Sequence, residues 1–144
     1  MTRWIVLVAL AGCGARPTPS SPGEPGEPFS VQAARGAELY GEHCASCHGD
    51  QGEGREGPRL VGLAQGALPL DPPPGRSVRT ARFRTAADVA GFVVANMPPG
   101  AGGSLGEANY LRILAFSLKA NGVDLGARHL DIEVARSLVL WPEQ

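Results

Sequence analysis

Cys44-Ala45-Ser46-Cys47-His48 is a C-x-x-C-H run, the spacing by which c-type haem is attached. Two residues between the thiols let both sulfurs reach the two vinyl-derived carbons on one porphyrin edge. The histidine that follows is turned under the ring, where it can ligate iron. Three rival chemistries fit less well. A zinc site needs four ligands, and only His43 and His129 remain to complete the set, with His43 and His48 flanking the cysteines too closely to join them around one ion. A thioredoxin-like dithiol heads a helix after a strand in a βαβ unit, which is absent here. A disulfide across two residues would be strained. Cys44, Cys47 and His48 are therefore the candidate attachment and iron-binding set, and one covalent haem c is the implied cofactor.

A single imidazole leaves the other iron face open. Met97 is the candidate for it: apart from Met1 it is the only methionine, it lies 49 residues after His48, and it stands in Asn96-Met97-Pro98-Pro99. A thioether favours ferrous iron, and His/Met ligation raises the reduction potential relative to two imidazoles. The plainer use of a lone methionine is as core filler. His43 and His129 are the fallback ligands. His43 directly precedes Cys44 and is expected to point away from the iron, and His129, between Arg128 and Leu130, reads as a solvated tail residue.

Working outward, Val31 to Tyr40 has small or apolar residues at 33, 36/37 and 40, a helical spacing that leads directly into Cys44. From Gly49 to Gly75, 12 of 27 residues are Gly or Pro, a long loop that a compact domain tolerates when it is functional. Thr85-Ala86-Ala87-Asp88 has the form of a capped helix start, and Val89, Phe92 and Val93 follow on one face until Pro98 and Pro99 end the element. Ser104 and Glu107 have capping-box spacing before the seam Leu111, Leu114, Ala115, Leu118, and Asn121-Gly122 is its stop. A weaker fourth helix is expected around Ile132 to Leu140, before Pro142. The expected fold class is all-α, with three main helices around one covalently attached haem.

The first residues have the parts of an export leader: Arg3, an apolar run from Trp4 to Leu10, then small residues. Leu10-Ala11-Gly12-Cys13 resembles the lipobox of bacterial lipoproteins, which implies cleavage before Cys13 and lipidation of that residue; a leader cut elsewhere is the alternative. Lipidation also explains an odd third thiol in an oxidising compartment. Residues 14–29 hold five Pro and three Gly with no apolar periodicity, so they read as a flexible tether. The expected division is 1–12 leader, 13–29 lipidated Cys and tether, 30–122 haem domain, and 123–144 tail, and the expected location is an exported lipoprotein on an extracytoplasmic membrane face.

Composition agrees with this division. Gly and Pro contribute 20 and 13 of 144 residues, about twice the usual share. With 6% aromatic residues, the chain has little with which to fill a core, and a prosthetic group would supply the missing apolar centre. With 13 basic and 14 acidic residues, it lacks the positive footprint of a nucleic-acid binder. Its positive charge concentrates in Arg76, Arg79, Arg82 and Arg84, with no acid between Asp71 and Asp88. That cluster is open to three readings: solvated loop, contact to a haem propionate, or a steering patch for an acidic redox partner.

Over residues 30–122 the chain resembles the class I (mitochondrial-like) bacterial cytochromes c. Gly36 and Tyr40 match the small and aromatic positions of that family's first helix, and Ala115-Phe116 the small-aromatic pair of its last. Pro58-Arg59-Leu60 matches its loop segment, which implies that the Pro58 carbonyl accepts the Nδ1 proton of the axial imidazole. Phe83 stands where relatives often carry Trp near a propionate. The end of the domain and its tail are similar to cytochromes that accompany quinoprotein dehydrogenases. The resemblance implies a one-electron carrier with no catalytic residue and no small-molecule substrate. Its partners would be redox proteins, with electrons passing from a dehydrogenase or quinol-oxidising complex to an oxidase or another cytochrome. A haem enzyme or gas sensor with Met97 displaceable from iron is the rival reading.

Overall fold

The computed structural model describes residues 26–62, residue 67 and residues 82–140. Among the described residues five helices follow in order: α1 (Phe29–His43), α2 (Ala45–His48), α3 (Ala86–Asn96), α4 (Glu107–Ala120) and α5 (Ile132–Ser137). Among the described residues there is no strand, only an isolated antiparallel bridge between Thr85 and Val139, so the fold is all-α as expected. No described helix is long and apolar enough to cross a membrane.

The largest helix contact is α1 against α4. Gly36 makes it possible, since a Cβ there would stand 1.8 Å from the Arg112 carbonyl oxygen. The bare backbone lets the axes approach, and the aromatic pair beside the crossing closes over it: Tyr40 and Phe116 have ring centroids 4.8 Å apart. Ala33 of α1 and Leu111, Leu114, Ala115 and Leu118 of α4 continue into a core shared with Ala86 and Val89 of α3.

Helix α1 starts earlier than its periodicity indicated. Phe29 is 1% exposed and its N–H bonds to the Arg128 carbonyl at 2.9 Å. Just before it, the Glu27 carboxylate sits between Arg35 (2.6 Å) and Arg112 (2.7 Å). The last residues of the stretch read as tether thus lie on the domain; residues 1–25, with the leader and Cys13, are outside the described residues. Helix α3 has the expected cap, with Thr85 Oγ1 accepting from the Asp88 N–H and the Asp88 carboxylate accepting from the Thr85 N–H. These backbone N–H groups of Thr85 and Arg84 hold the Asp88 carboxyl below its ordinary range.

Two helix ends differ from expectation. Ser104 does not cap α4: its N–H closes a turn onto the Ala101 carbonyl, and Gly106, at φ 77° with no side chain, occupies the cap. The tail helix α5, capped by Asp131, stops at Ser137 instead of reaching Leu140. Residues 138–140 are extended because they pair with the lead-in to α3, the Ala86 N–H bonding to the Leu138 carbonyl and the Leu140 N–H to that of Arg84. The tail belongs to the core, with Leu130, Ala135 and Leu140 buried. Gln32, itself 2% exposed, secures it: its Oε1 accepts from the Leu130 N–H at 2.6 Å and its Nε2 donates to the Leu130 carbonyl at 3.0 Å.

Candidate haem site

Cys44 is the junction of α1 and α2. The N–H groups of Cys47 and His48 both bond to its carbonyl, so one tight turn carries both thiols and the imidazole. Cys44 and Cys47 are not bonded to each other, and both are half-buried. Burial, and after it the neighbouring Cys47, pushes the Cys44 thiol above its ordinary value. Tyr40, at the inner end of α1, is pushed up to about 12, chiefly by burial and then by the charges of Cys44, Glu53 and Asp50. It stays a hydroxyl and donates to the Gly49 carbonyl at 2.8 Å, fixing the start of the loop.

His48 is 9% exposed, and its Nδ1 lies 2.8 Å from the Pro58 carbonyl oxygen. A carbonyl can only accept, so Nδ1 carries the proton here, and in the neutral tautomer so fixed the lone pair lies on Nε2. The loop is folded back to bring that carbonyl in, the Gly57 N–H bonding to the Cys47 carbonyl at 2.8 Å and the Leu60 N–H to that of Gly52 at 2.8 Å. Gly57 is there because nothing larger fits: a Cβ would stand 2.8 Å from His48 Cε1 and 2.9 Å from Nδ1. Asn121, the residue after α4, holds the far side of the loop. Its Oδ1 accepts from the Gly62 N–H at 3.0 Å and its Nδ2 donates to the Leu60 carbonyl at 2.9 Å.

Opposite this turn, α3 ends at Met97, whose N–H bonds to the Val93 carbonyl. Tyr110 of α4 reaches across and donates its hydroxyl to the Met97 carbonyl at 2.7 Å. Between the two sides lies a cavity of about 400 Å³, lined by Cys44, Cys47, His48, Pro58 and Met97 and walled largely by apolar side chains of α3 and α4 such as Val93, Ile113 and Leu114. The arrangement fits a covalently held haem, with two thiols three residues apart at one edge, an imidazole Nε2 lone pair, a thioether, and apolar walls for the porphyrin faces. Among the described residues no three His, Cys, Asp or Glu side chains are gathered to hold a metal ion by themselves.

All five residues singled out from the sequence for haem contact thus line one cavity. The fallback ligands fare differently. His43, expected to point away, also lines the cavity, with Nε2 3.7 Å from a Glu42 carboxylate oxygen. His129 is not a solvated tail residue: it is half-buried, and its Nδ1 bonds to the Glu27 carbonyl at 2.9 Å, because the tail folds back over the start of α1. Phe83 is buried, edge-on to Phe92, and reaches the cavity wall. Of the arginine cluster, Arg76 and Arg79 are outside the described residues. Arg82 and Arg84 are exposed at the entry to α3, where Arg84 donates from its guanidinium to the Phe83 carbonyl. Gly57 and Tyr110 carry no expectation from the sequence, and Asn121 is read there only as a helix stop, not as a support for the loop. Gly57 has one signal, its position directly before Pro58.

The family described as cytochrome C oxidase, cbb3-type, subunit III matches residues 31–116. Thiosulfate dehydrogenase of Stutzerimonas stutzeri (strain A1501) is 34% identical over 88 residues, which make up 58% of this chain and 25% of that protein. The chain therefore spans about a quarter of that relative's length. The crystal structure of the sulfane dehydrogenase SoxCD from Paracoccus pantotrophus is similar with a TM-score of 0.56 at 32% identity, covering 75% of this chain and 52% of that one.

Proposed function

We propose that this chain, which belongs to the cytochrome C oxidase, cbb3-type, subunit III family and so carries a cytochrome c domain with covalently bound haem c, is a one-electron carrier with His48 and Met97 as its iron ligands. Haem c supplies a reversible one-electron couple. The protein's part is to hold that couple in a dry, fixed surround. The thiols of Cys44 and Cys47 tie one porphyrin edge to the α1–α2 junction, the Pro58 carbonyl keeps the His48 proton on Nδ1 and orients the ring, and the walls of α3 and α4 exclude water. The observation that carries the reading is the meeting of Cys44, Cys47, His48 and Met97 on one cavity. With His48 and Met97 as its ligands the iron would have no position for a substrate, and no catalytic residue is assigned.

The electron donor in this reading is a dehydrogenase. The similarity to thiosulfate dehydrogenase and to sulfane dehydrogenase SoxCD supports one that oxidises inorganic sulfur compounds, with an oxidase or another cytochrome as acceptor. Because both relatives are enzymes, a second reading makes the chain the cytochrome subunit of such a complex, passing electrons on within it. Cys13, lipidated after export, anchors the protein to a membrane surface. Its substitution by Ser should move the protein from the membrane to the soluble fraction, and release of the wild type by salt alone would discard the anchor.

The spectrum of the purified protein tests the core of the proposal. A c-type haem band together with the near-infrared methionine-to-iron band is expected. Met97→Ala should lower the potential and admit carbon monoxide, and if neither changes, Met97 is not the ligand.

A further inference from the structure

The last carbonyls of a helix have no partner within it, and in α3 the Met97 carbonyl obtains one from another helix. The Tyr110 hydroxyl donates to it at 2.7 Å, and Tyr110 is 3% exposed. This tyrosine belongs to the first turn of α4, the helix that crosses α1 at Gly36, and α1 runs directly into Cys44 and the turn that carries His48. We infer that Tyr110 is a positioning residue for Met97: its hydrogen bond ties the thioether's backbone to the same α1–α4 pair from which the imidazole hangs. The inference rests on the reading of Met97 as an iron ligand.

Between Met97 and α4 the chain runs through Gly100, Gly103 and Gly106, all at positive φ. Its backbone bond to α3, from the Gly103 N–H to the Val94 carbonyl at 2.7 Å, is made above Met97 and leaves the Met97 carbonyl to Tyr110. Without the hydroxyl, the segment that presents the thioether can shift while both helices stay folded. Met97 then yields more readily to an external ligand.

The test is a titration of ferric holoprotein with imidazole, read at the near-infrared methionine-to-iron band. In Tyr110→Phe, imidazole should bind about fivefold more tightly than in wild type, the factor that one net hydrogen bond is worth. Thr85→Ala removes the cap at the opposite end of the same helix and should leave the imidazole affinity at the wild-type value. An unchanged affinity in Tyr110→Phe, even with a lowered melting temperature, would make the tyrosine structural only and overturn the inference, as would an equal gain in Thr85→Ala. A wild-type protein without the band would remove Met97 as ligand, and the inference with it. One measurement needs no variant: the Tyr110 hydroxyl proton of wild-type holoprotein should exchange slowly with solvent by NMR, and rapid exchange would contradict the bond.

Discussion

His48 is held from two directions, by the Pro58 carbonyl at Nδ1 and by the backbone of Gly57, which leaves no room for a Cβ beside its ring. The first sets the tautomer and the second sets the distance. Gly57→Ala would put a methyl group 2.8 Å from His48 Cε1 and 3.2 Å from the Cys47 carbonyl oxygen, so either the ring or the loop must give way. Overpacking of this kind costs about 1–3 kcal/mol. Because the displaced group is the proposed iron ligand and the carbonyl that orients it, the effect should exceed a stability loss: the yield of haem-loaded protein should fall and its reduction potential should move, as redox titration would show. A variant with wild-type yield and potential would mean that the loop slides freely past the ring.

At the scale of elements, α1 and α4 do for the whole site what Gly57 does for one ring. Their crossing fixes where Cys44 and His48 stand relative to Tyr110 and Met97, and it depends on the missing side chain at Gly36. A Cβ there meets the Arg112 carbonyl oxygen at 1.8 Å. That obstacle is backbone inside a helix and cannot rotate away. Gly36→Ala should therefore cost about 3 kcal/mol, the upper end of overpacking losses, and separate the helices by enough to disturb the Tyr40–Phe116 contact. Thermal melting of the holoprotein measures it. At an exposed helical site the same change would instead be stabilising by up to about 1 kcal/mol, so even the sign discriminates. The cap of helix α3, the Thr85–Asp88 box, is local and legible in the sequence. The start of α4 departs from expectation: Ser104 and Glu107 have capping spacing, but Gly103 and Gly106, both at φ 77°, turn the chain so that the serine falls outside the helix.

At the scale of the whole molecule, a cavity of about 400 Å³ lies between α3, α4 and the turn that carries Cys44, Cys47 and His48. Without haem its apolar walls would be left facing water, in a domain whose total stability is ordinarily only about 5–15 kcal/mol. The domain without haem should accordingly lack cooperative tertiary structure. Expression without haem-attachment machinery, followed by calorimetry and near-ultraviolet circular dichroism, checks this. A cooperative, native-like melt of the haem-free protein would show that the walls close on themselves.

The C-x-x-C-H run, the single methionine downstream, the α3 cap and the alternation of helix and Gly/Pro-rich loop were determined by the sequence itself. They follow from covalent spacing, side-chain chemistry and local backbone preference, all of which act between residues a few positions apart. The Pro58 contact was implied by family resemblance, and no spacing alone would have named it. Tertiary structure decided the rest. The Tyr110–Met97 bond joins residues 13 apart, and Gln32 grips Leu130 across 98 positions. Gly57 is required only because a ring lies against it, and the tail from residue 123 becomes part of the core because Leu130, Ala135 and Leu140 find an apolar surface to cover. A hydrogen bond or a buried methyl group acquires its partner when helices pack, and that packing is set here by the close approach of α1 and α4 at Gly36.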